Sequence, residues 1–132
     1  MKSASILGAL ALGLSVLALQ DAAFGAASDF ELTLVETKIN ASDDTVISVL
    51  LIDRRTGAPV PDAVIFATRL DMEPEGMETM LAPVEALPST EPGVYRFRTE
   101  LSMQGGWQFS VALKVQGEAE TVQMRSNFEA VQ

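Results

Sequence analysis

Alternation of apolar and polar side chains over residues 107–115 is the feature that most restricts the fold of this chain. Apolar side chains occupy every second position there, at Trp107, Phe109, Val111, Leu113 and Val115. A period of two is typical of a half-buried β-strand, because successive side chains of a strand point to opposite faces of the sheet. Residues 93–101 alternate in the same way, with Tyr95, Phe97, Thr99 and Leu101 on one face. We predict that the two segments form an antiparallel hairpin across Gly105 and Gly106.

The rest of the sequence predicts more short strands separated by turn residues. Residues 30–38 and 120–130 alternate well enough for half-buried strands, and the second of these directs Val122, Met124, Phe128 and Ala130 inward. Residues 46–52 are almost all apolar, which predicts a central strand buried on both faces or nearly so. Residues 63–70 form a further strand after a loop that contains two prolines. The expected fold is therefore all-β, an antiparallel immunoglobulin-like sandwich of about seven strands with Trp107 in its core.

The first 27 residues have the pattern of a secretory signal peptide. Lys2 precedes an apolar run over residues 6–19, which leads into the small residues of positions 22–27. That run is short for a membrane span, which needs about 20 apolar residues. We predict a signal peptide at 1–27, one domain at 28–132, and an exported, periplasmic location. An uncleaved N-terminal anchor is the alternative interpretation.

Composition excludes several classes of function. The chain contains neither cysteine nor histidine, so disulfides, thiolate or imidazole metal sites and Ser-His or Cys-His nucleophile pairs are absent. Its formal net charge of −9 disfavours binding to nucleic acid or to anionic membrane surfaces, which basic patches favour. No nucleophile motif or cleft signature points to catalysis, and we predict that the protein is not an enzyme.

A connection over residues 71–92 is too long for an ordinary turn, and a short extra strand at about residues 80–85 is one interpretation of part of it. The connection contains three of the six methionines, Met72, Met77 and Met80. Pro74 and Gly76 exclude a continuous helix through it. If one helical turn begins after Gly76, Met77 and Met80 share a face at i and i+3, and a bend brings Met72 back over them. Met103 lies near the predicted hairpin turn and is a fourth candidate.

Methionine sulfur is a soft, neutral ligand that selects Cu(I) or Ag(I) over hard cations. We predict a soft-metal site at Met72, Met77 and Met80, with Met103 serving either as a ligand or as a core-edge residue. The alternative is that methionines fill irregular gaps in a core, which is the role we expect for Met124. The acidic residues Asp71, Glu73, Glu75 and Glu78 raise a second alternative, a site for a hard cation such as Ca(II), although a solvated acidic loop is the simpler interpretation.

Five short segments together resemble the FixH/YtkA-like family of exported bacterial domains; they cover residues 69–72, 76–80, 92–95, 103–107 and 114–118. The resemblance covers the chain from about residue 56 onward. It implies an immunoglobulin-like sandwich that functions in copper efflux or in cytochrome oxidase assembly. It also implies that Met72, Met77, Met80 and Met103 match the methionine positions of the family.

We therefore expect a periplasmic Cu(I)/Ag(I)-binding accessory or metallochaperone domain, whose partner is an envelope protein of copper efflux or oxidase assembly. The alternative is a metal-free interaction module that docks on an envelope protein through its methionine-rich loop. We expect no nucleic-acid partner and no stable membrane span once the signal is cleaved.

Overall fold

The computed structural model describes residues 27–132 and contains nine strands. The strands are β1 (Phe30–Leu34), β2 (Lys38–Asn40), β3 (Thr45–Asp53), β4 (Val64–Met72), β5 (Met77–Leu81), β6 (Val84–Leu87), β7 (Val94–Thr99), β8 (Gly105–Lys114) and β9 (Thr121–Val131). Two short 3-10 turns, Ala27–Asp29 and Glu73–Glu75, complete the regular structure. Within the described residues, no helix is long and apolar enough to cross a membrane. The predicted signal peptide lies outside these residues except for its last position.

The strands form two sheets that pack face to face. The first sheet has the order β1-β3-β7-β6 and the second has the order β2-β9-β8-β4-β5. All neighbours are antiparallel except β2 and β9, which run parallel. This architecture confirms the predicted all-β, immunoglobulin-like sandwich.

The strand count exceeds the expected seven for two local reasons. The predicted strand at 30–38 is divided, because β1 pairs with β3 in the first sheet while β2 pairs with β9 in the second. Val35 lies at the crossing between them and is 53% exposed. The second reason is that the predicted loop at 71–92 contains β5 and β6.

The predicted hairpin of β7 and β8 is wrong, because the two strands lie in opposite sheets. Their alternating side chains face each other across the core instead. The rings of Phe97 and Phe109 meet edge to face, with centroids 5.2 Å apart. The connection between the strands crosses the end of the sandwich, where the buried Leu101 donates its N–H to the carbonyl of Ser42.

The core lies between the two inner faces and is built mainly from alternating positions. Trp107 is buried and its indole Nε1 donates to the carbonyl of Met103 at 3.0 Å, so the expected core position of this residue is confirmed. Met124 is buried with the inner face of β9, also as expected. The prediction that β3 is buried on both faces is wrong: its burial alternates, and Val46 is 40% exposed, because the outer face of the first sheet meets solvent.

Candidate functional site

Residues 71–81 form a strand–turn–strand unit instead of the predicted loop. β4 continues to Met72, the chain turns through Glu73–Glu75, and β5 returns from Met77. Gly76 closes the turn in the left-handed region at φ 74°, and its N–H donates to the carbonyl of Glu73 at 2.8 Å. The helical turn predicted after Gly76 is therefore wrong, since β5 pairs with β4 in extended conformation.

Met72 and Met77 are brought together by this pairing. They are register partners across β4 and β5. Met72 is only 1% exposed and belongs to the core, while Met77 is partly buried and packs against it. The backbone of Gly105, at φ 124°, lies against the methyl group of Met72: a Cβ at position 105 would come within 3.4 Å of that methyl.

Met80 and Met103, the other two candidate ligands, are both exposed. Met80 follows Met77 by three positions in β5, where the pairing with β4 shifts register: Met77 faces Met72, but Leu81 faces Asp71. Met80 is 40% exposed. Met103 is 39% exposed, which excludes a buried core position, and it lies two residues before Gly105. The structure thus places Met103 two residues before the glycine that lies against Met72, and it places Met80 on an exposed part of β5.

The turn over Met72 is fastened to β8 by a carboxylate. Glu75 Oε2 accepts the N–H of Gly106 at 2.7 Å. Pro74 packs on the same residue so closely that a Cβ at position 106 would lie 2.8 Å from the Cβ of Pro74. Gly105 and Gly106 are the first residues of β8, and because they have no side chain they allow this close approach. The sequence predicted only a hairpin turn at these two positions.

Asp71 is a structural residue beneath the turn. Its side chain is 5% exposed; Oδ2 accepts from Arg69 Nε at 2.7 Å and Oδ1 accepts from the N–H of Glu73 at 2.9 Å. Arg69 also donates from a terminal nitrogen to the carbonyl of Glu78, which ties β4 to β5. No local sequence pattern predicts the burial of this carboxylate, because Leu70, Asp71 and Met72 are buried in succession.

Hard-cation binding finds no support in this arrangement. Over residues 27–132, no group of three or more Asp or Glu side chains is placed to hold a metal ion. Asp71 is bound to Arg69, and Glu75 is bound to the backbone of Gly106. The methionine pair Met72 and Met77 lies beside this turn.

Comparisons with solved structures agree with the fold. A DUF4426 family protein from Pseudomonas aeruginosa PAO1 aligns with a TM-score of 0.56 and 17% identity, over 76% of this chain and 89% of that one. The Lin-41 filamin domain aligns with a TM-score of 0.48 and 18% identity, over 76% of this chain and 91% of its own. At such identities the first likeness shows the fold alone.

Sequence comparison supplies the family. None of the curated proteins matches the chain. The profile of the YtkA-like family matches residues 25–112, which extend from the residues before β1 through most of β8 and include all four candidate methionines. The chain belongs to the YtkA-like family.

Proposed function

We propose that this domain binds Cu(I), and also Ag(I), through methionine thioethers, as an exported accessory or metallochaperone domain of bacterial copper handling. The observation that supports the proposal is the pairing of Met72 with Met77 beside Gly105, two residues after Met103. Neither cysteine nor histidine exists in the chain to compete for a soft ion. Membership in the YtkA-like family is consistent with this role.

The ligand set that we propose is Met72, Met77 and Met103. These residues fit a soft ion, because thioether sulfur is neutral and polarizable and does not compete with protons. The burial of Met72 would shield the ion from water, and the exposed Met103 would give access from solvent. Met80, which the sequence also suggested, is 40% exposed on β5 and is proposed as a ligand only for a second, looser binding event.

Acidic side chains around the turn would favour the approach of a cation. Glu73 and Glu78 lie in or next to the turn and are exposed, in a chain of net charge −9. Clustered charge of one sign raises the local concentration of counter-ions. These residues would act by steering, since the protein donors best suited to Cu(I) are the sulfur atoms.

Anaerobic titration with Cu(I) against a competing chromophoric chelator tests the proposal. We expect the wild-type protein to take one equivalent from the chelator. The triple substitution Met72→Leu, Met77→Leu and Met103→Leu should abolish that uptake while conserving apolar volume. Met80→Leu and Met124→Leu are matched controls and should retain it. Equal uptake by the triple variant and the wild type would refute thioether binding.

Export is the second part of the proposal and rests on the predicted signal at residues 1–27. We expect the protein in the periplasmic fraction, with a mass that corresponds to cleavage after Gly25 or Ala27. A protein that retains its N-terminus in the membrane fraction would support the anchored alternative.

A metal-free interaction module is the competing proposal, and one observation favours it. β5 is an edge strand of the second sheet, and it exposes Met80 and Leu81, the latter by 59%. Exposed apolar residues on a sheet edge are suited to contact with another protein. Leucine substitution at the methionines keeps the apolar area, so docking should survive in variants that lose Cu(I) binding. The non-catalytic role proposed here applies to both alternatives.

A further inference from the structure

A groove of about 580 Å³ crosses the outer face of the second sheet, away from the methionines. Residues of three neighbouring strands, β4, β8 and β9, line this groove at paired positions. Arg69, Ser110 and Arg125 form one row across β4, β8 and β9, and Ala67, Ala112 and Gln123 form the next. The floor between the arginines thus consists of small side chains. A floor of this kind lets the backbone of a bound segment approach the sheet closely.

Positive charge is concentrated around this groove. Lys114 lies one row beyond Ala112, so Arg69, Arg125 and Lys114 all project from the same face, and all three are exposed. Arg69 is partly engaged by Asp71 and Glu78. Among residues 27–132, Arg125 and Lys114 have no ion-pair partner. Both cations are therefore free to bind an external carboxylate.

Apolar side chains are exposed on β4 just beyond the groove. Val64 shares a row with Lys114 and Thr121 and is 58% exposed, and Phe66, at the bulge of β4, is 57% exposed. β5 pairs with β4 only at Asp71 and Met72, so no described strand covers this part of β4. The face therefore offers cations over small side chains together with an exposed apolar end.

We infer that this groove binds an extended acidic segment of a partner protein, with carboxylates of the segment on Arg125 and Lys114 and an apolar side chain against Val64. Charge complementarity selects the class of ligand: guanidinium and ammonium groups form charge-assisted hydrogen bonds with carboxylates. Nucleic acid is disfavoured, because three cations do not offset the repulsion between a long polyanion and a domain of net charge −9. The site is separate from the proposed metal ligands.

Fluorescence anisotropy with synthetic peptides tests this inference on the full chain. The probe is a fluorescein-labelled peptide of about ten residues that alternates glutamate and threonine and ends in valine, spanning about 33 Å when extended. Peptides with glutamine or lysine in place of glutamate are the comparison. We expect the glutamate peptide to bind, binding to weaken as salt is raised, and the lysine peptide not to bind.

Substitutions on the face locate the site. Arg125→Gln should weaken binding of the glutamate peptide about tenfold, as expected for the loss of a charge-assisted hydrogen bond. Ser110→Glu places a carboxylate between the two arginines and should abolish measurable binding. Arg96→Gln removes one positive charge from the outer face of the first sheet and is the matched control, expected to bind within about twofold of the wild type. The near-ultraviolet circular dichroism of Trp107 verifies that each variant is folded.

Several outcomes would overturn the inference. They are the absence of binding by the glutamate peptide, equal binding of the glutamine peptide, and equal loss in Arg96→Gln and Arg125→Gln. A wild-type dimer that Ser110→Glu converts to a monomer would assign the groove to a second copy of the chain instead. The triple leucine variant at Met72, Met77 and Met103 should bind the peptide as the wild type does, so failure of the metal proposal leaves this test unaffected.

Discussion

The two connections that flank β4 are fastened in different ways. Residues 54–63 lead from β3 in the first sheet to β4 in the second, and a side chain of β7 holds them: the hydroxyl of Tyr95 donates to the carbonyl of Val60 at 2.7 Å and accepts from the N–H of Ala63 at 3.0 Å. The turn Glu73–Glu75 stays within the second sheet, where Asp71 and Glu75 hold it.

This difference shows which hydrogen bonds couple the two sheets. Tyr95 belongs to the first sheet and bonds the segment that enters the second, so its loss should lower the stability of the whole sandwich. Glu75 bonds only the turn to the neighbouring strand, so its loss should permit local opening over Met72. Local and global unfolding have separate free energies in proteins. The Tyr95 hydrogen bonds should therefore affect global unfolding, and the Glu75 hydrogen bond should affect local unfolding of the turn.

The largest effect should come from Met72, the buried side chain that the turn Glu73–Glu75 covers. Met72→Ala should lower the free energy of unfolding by about 2–5 kcal/mol, because a fully buried side chain is truncated to leave a cavity. Met72→Leu should cost less than about 1.5 kcal/mol, since the volume is conserved. Urea denaturation followed by Trp107 fluorescence measures both. A negligible cost for Met72→Ala would place this side chain outside the core.

Tyr95→Phe should have the next largest effect. It leaves the carbonyl of Val60 and the N–H of Ala63 without their partner in a partly buried site, at a cost of about 1–3 kcal/mol in the free energy of unfolding. The same denaturation measures it, and the loss should be global: amide exchange should accelerate in both sheets. Acceleration confined to residues 54–63 would contradict the coupling role.

The pH dependence of stability sharpens the same prediction. Burial raises the pKa of Tyr95 above its usual value of 10.0. The folded state therefore holds the phenolic proton more tightly than the unfolded state. The resulting contribution to the free energy of unfolding is fully present below the pKa that Tyr95 has in the unfolded state. It is lost as pH rises through the higher pKa of Tyr95 in the folded state. Tyr95→Phe should lack this loss, and Tyr95, the only tyrosine in the chain, can be titrated directly by its tyrosinate absorption.

Sequence periodicity predicted the sheets better than their pairing. The alternation over β7, β8 and β9 identified inward residues such as Phe97, Trp107 and Phe128 correctly. A period of two reports that one face is buried, but a strand that faces another sheet alternates in the same way as one that pairs within a hairpin. That ambiguity explains why β7 and β8 were assigned to one hairpin.

The methionine segment was misassigned for a related reason. Pro74 and Gly76 exclude a continuous helix, but they do not exclude a strand on either side of a tight turn, which is the arrangement of β4 and β5. β4 in fact continues through Leu70, Asp71 and Met72, which are all buried, so no alternation marks the end of this strand. The bond from Tyr95 to a segment 35 residues away has no local signature, so only the folded chain reveals it.

Glu75→Ala tests the turn and should have a smaller effect than Tyr95→Phe. The bond from Gly106 N–H to Glu75 lies at an exposed site, so its loss should cost about 1 kcal/mol or less. Hydrogen exchange of the Gly106 amide should accelerate while the exchange of β3 amides stays unchanged. Glu75→Gln retains an acceptor oxygen and is the matched control, expected to preserve most of the protection.

Met80→Leu should have the smallest effect, and it tests whether Met80 belongs to the ligand set. Met80 is 40% exposed on β5, so the substitution should change the free energy of unfolding by less than about 0.5 kcal/mol. If Met72, Met77 and Met103 hold the ion, Cu(I) uptake by the Met80→Leu variant should equal that of the wild type. A loss of uptake in this variant would instead place Met80 in the ligand set, as the sequence also suggested.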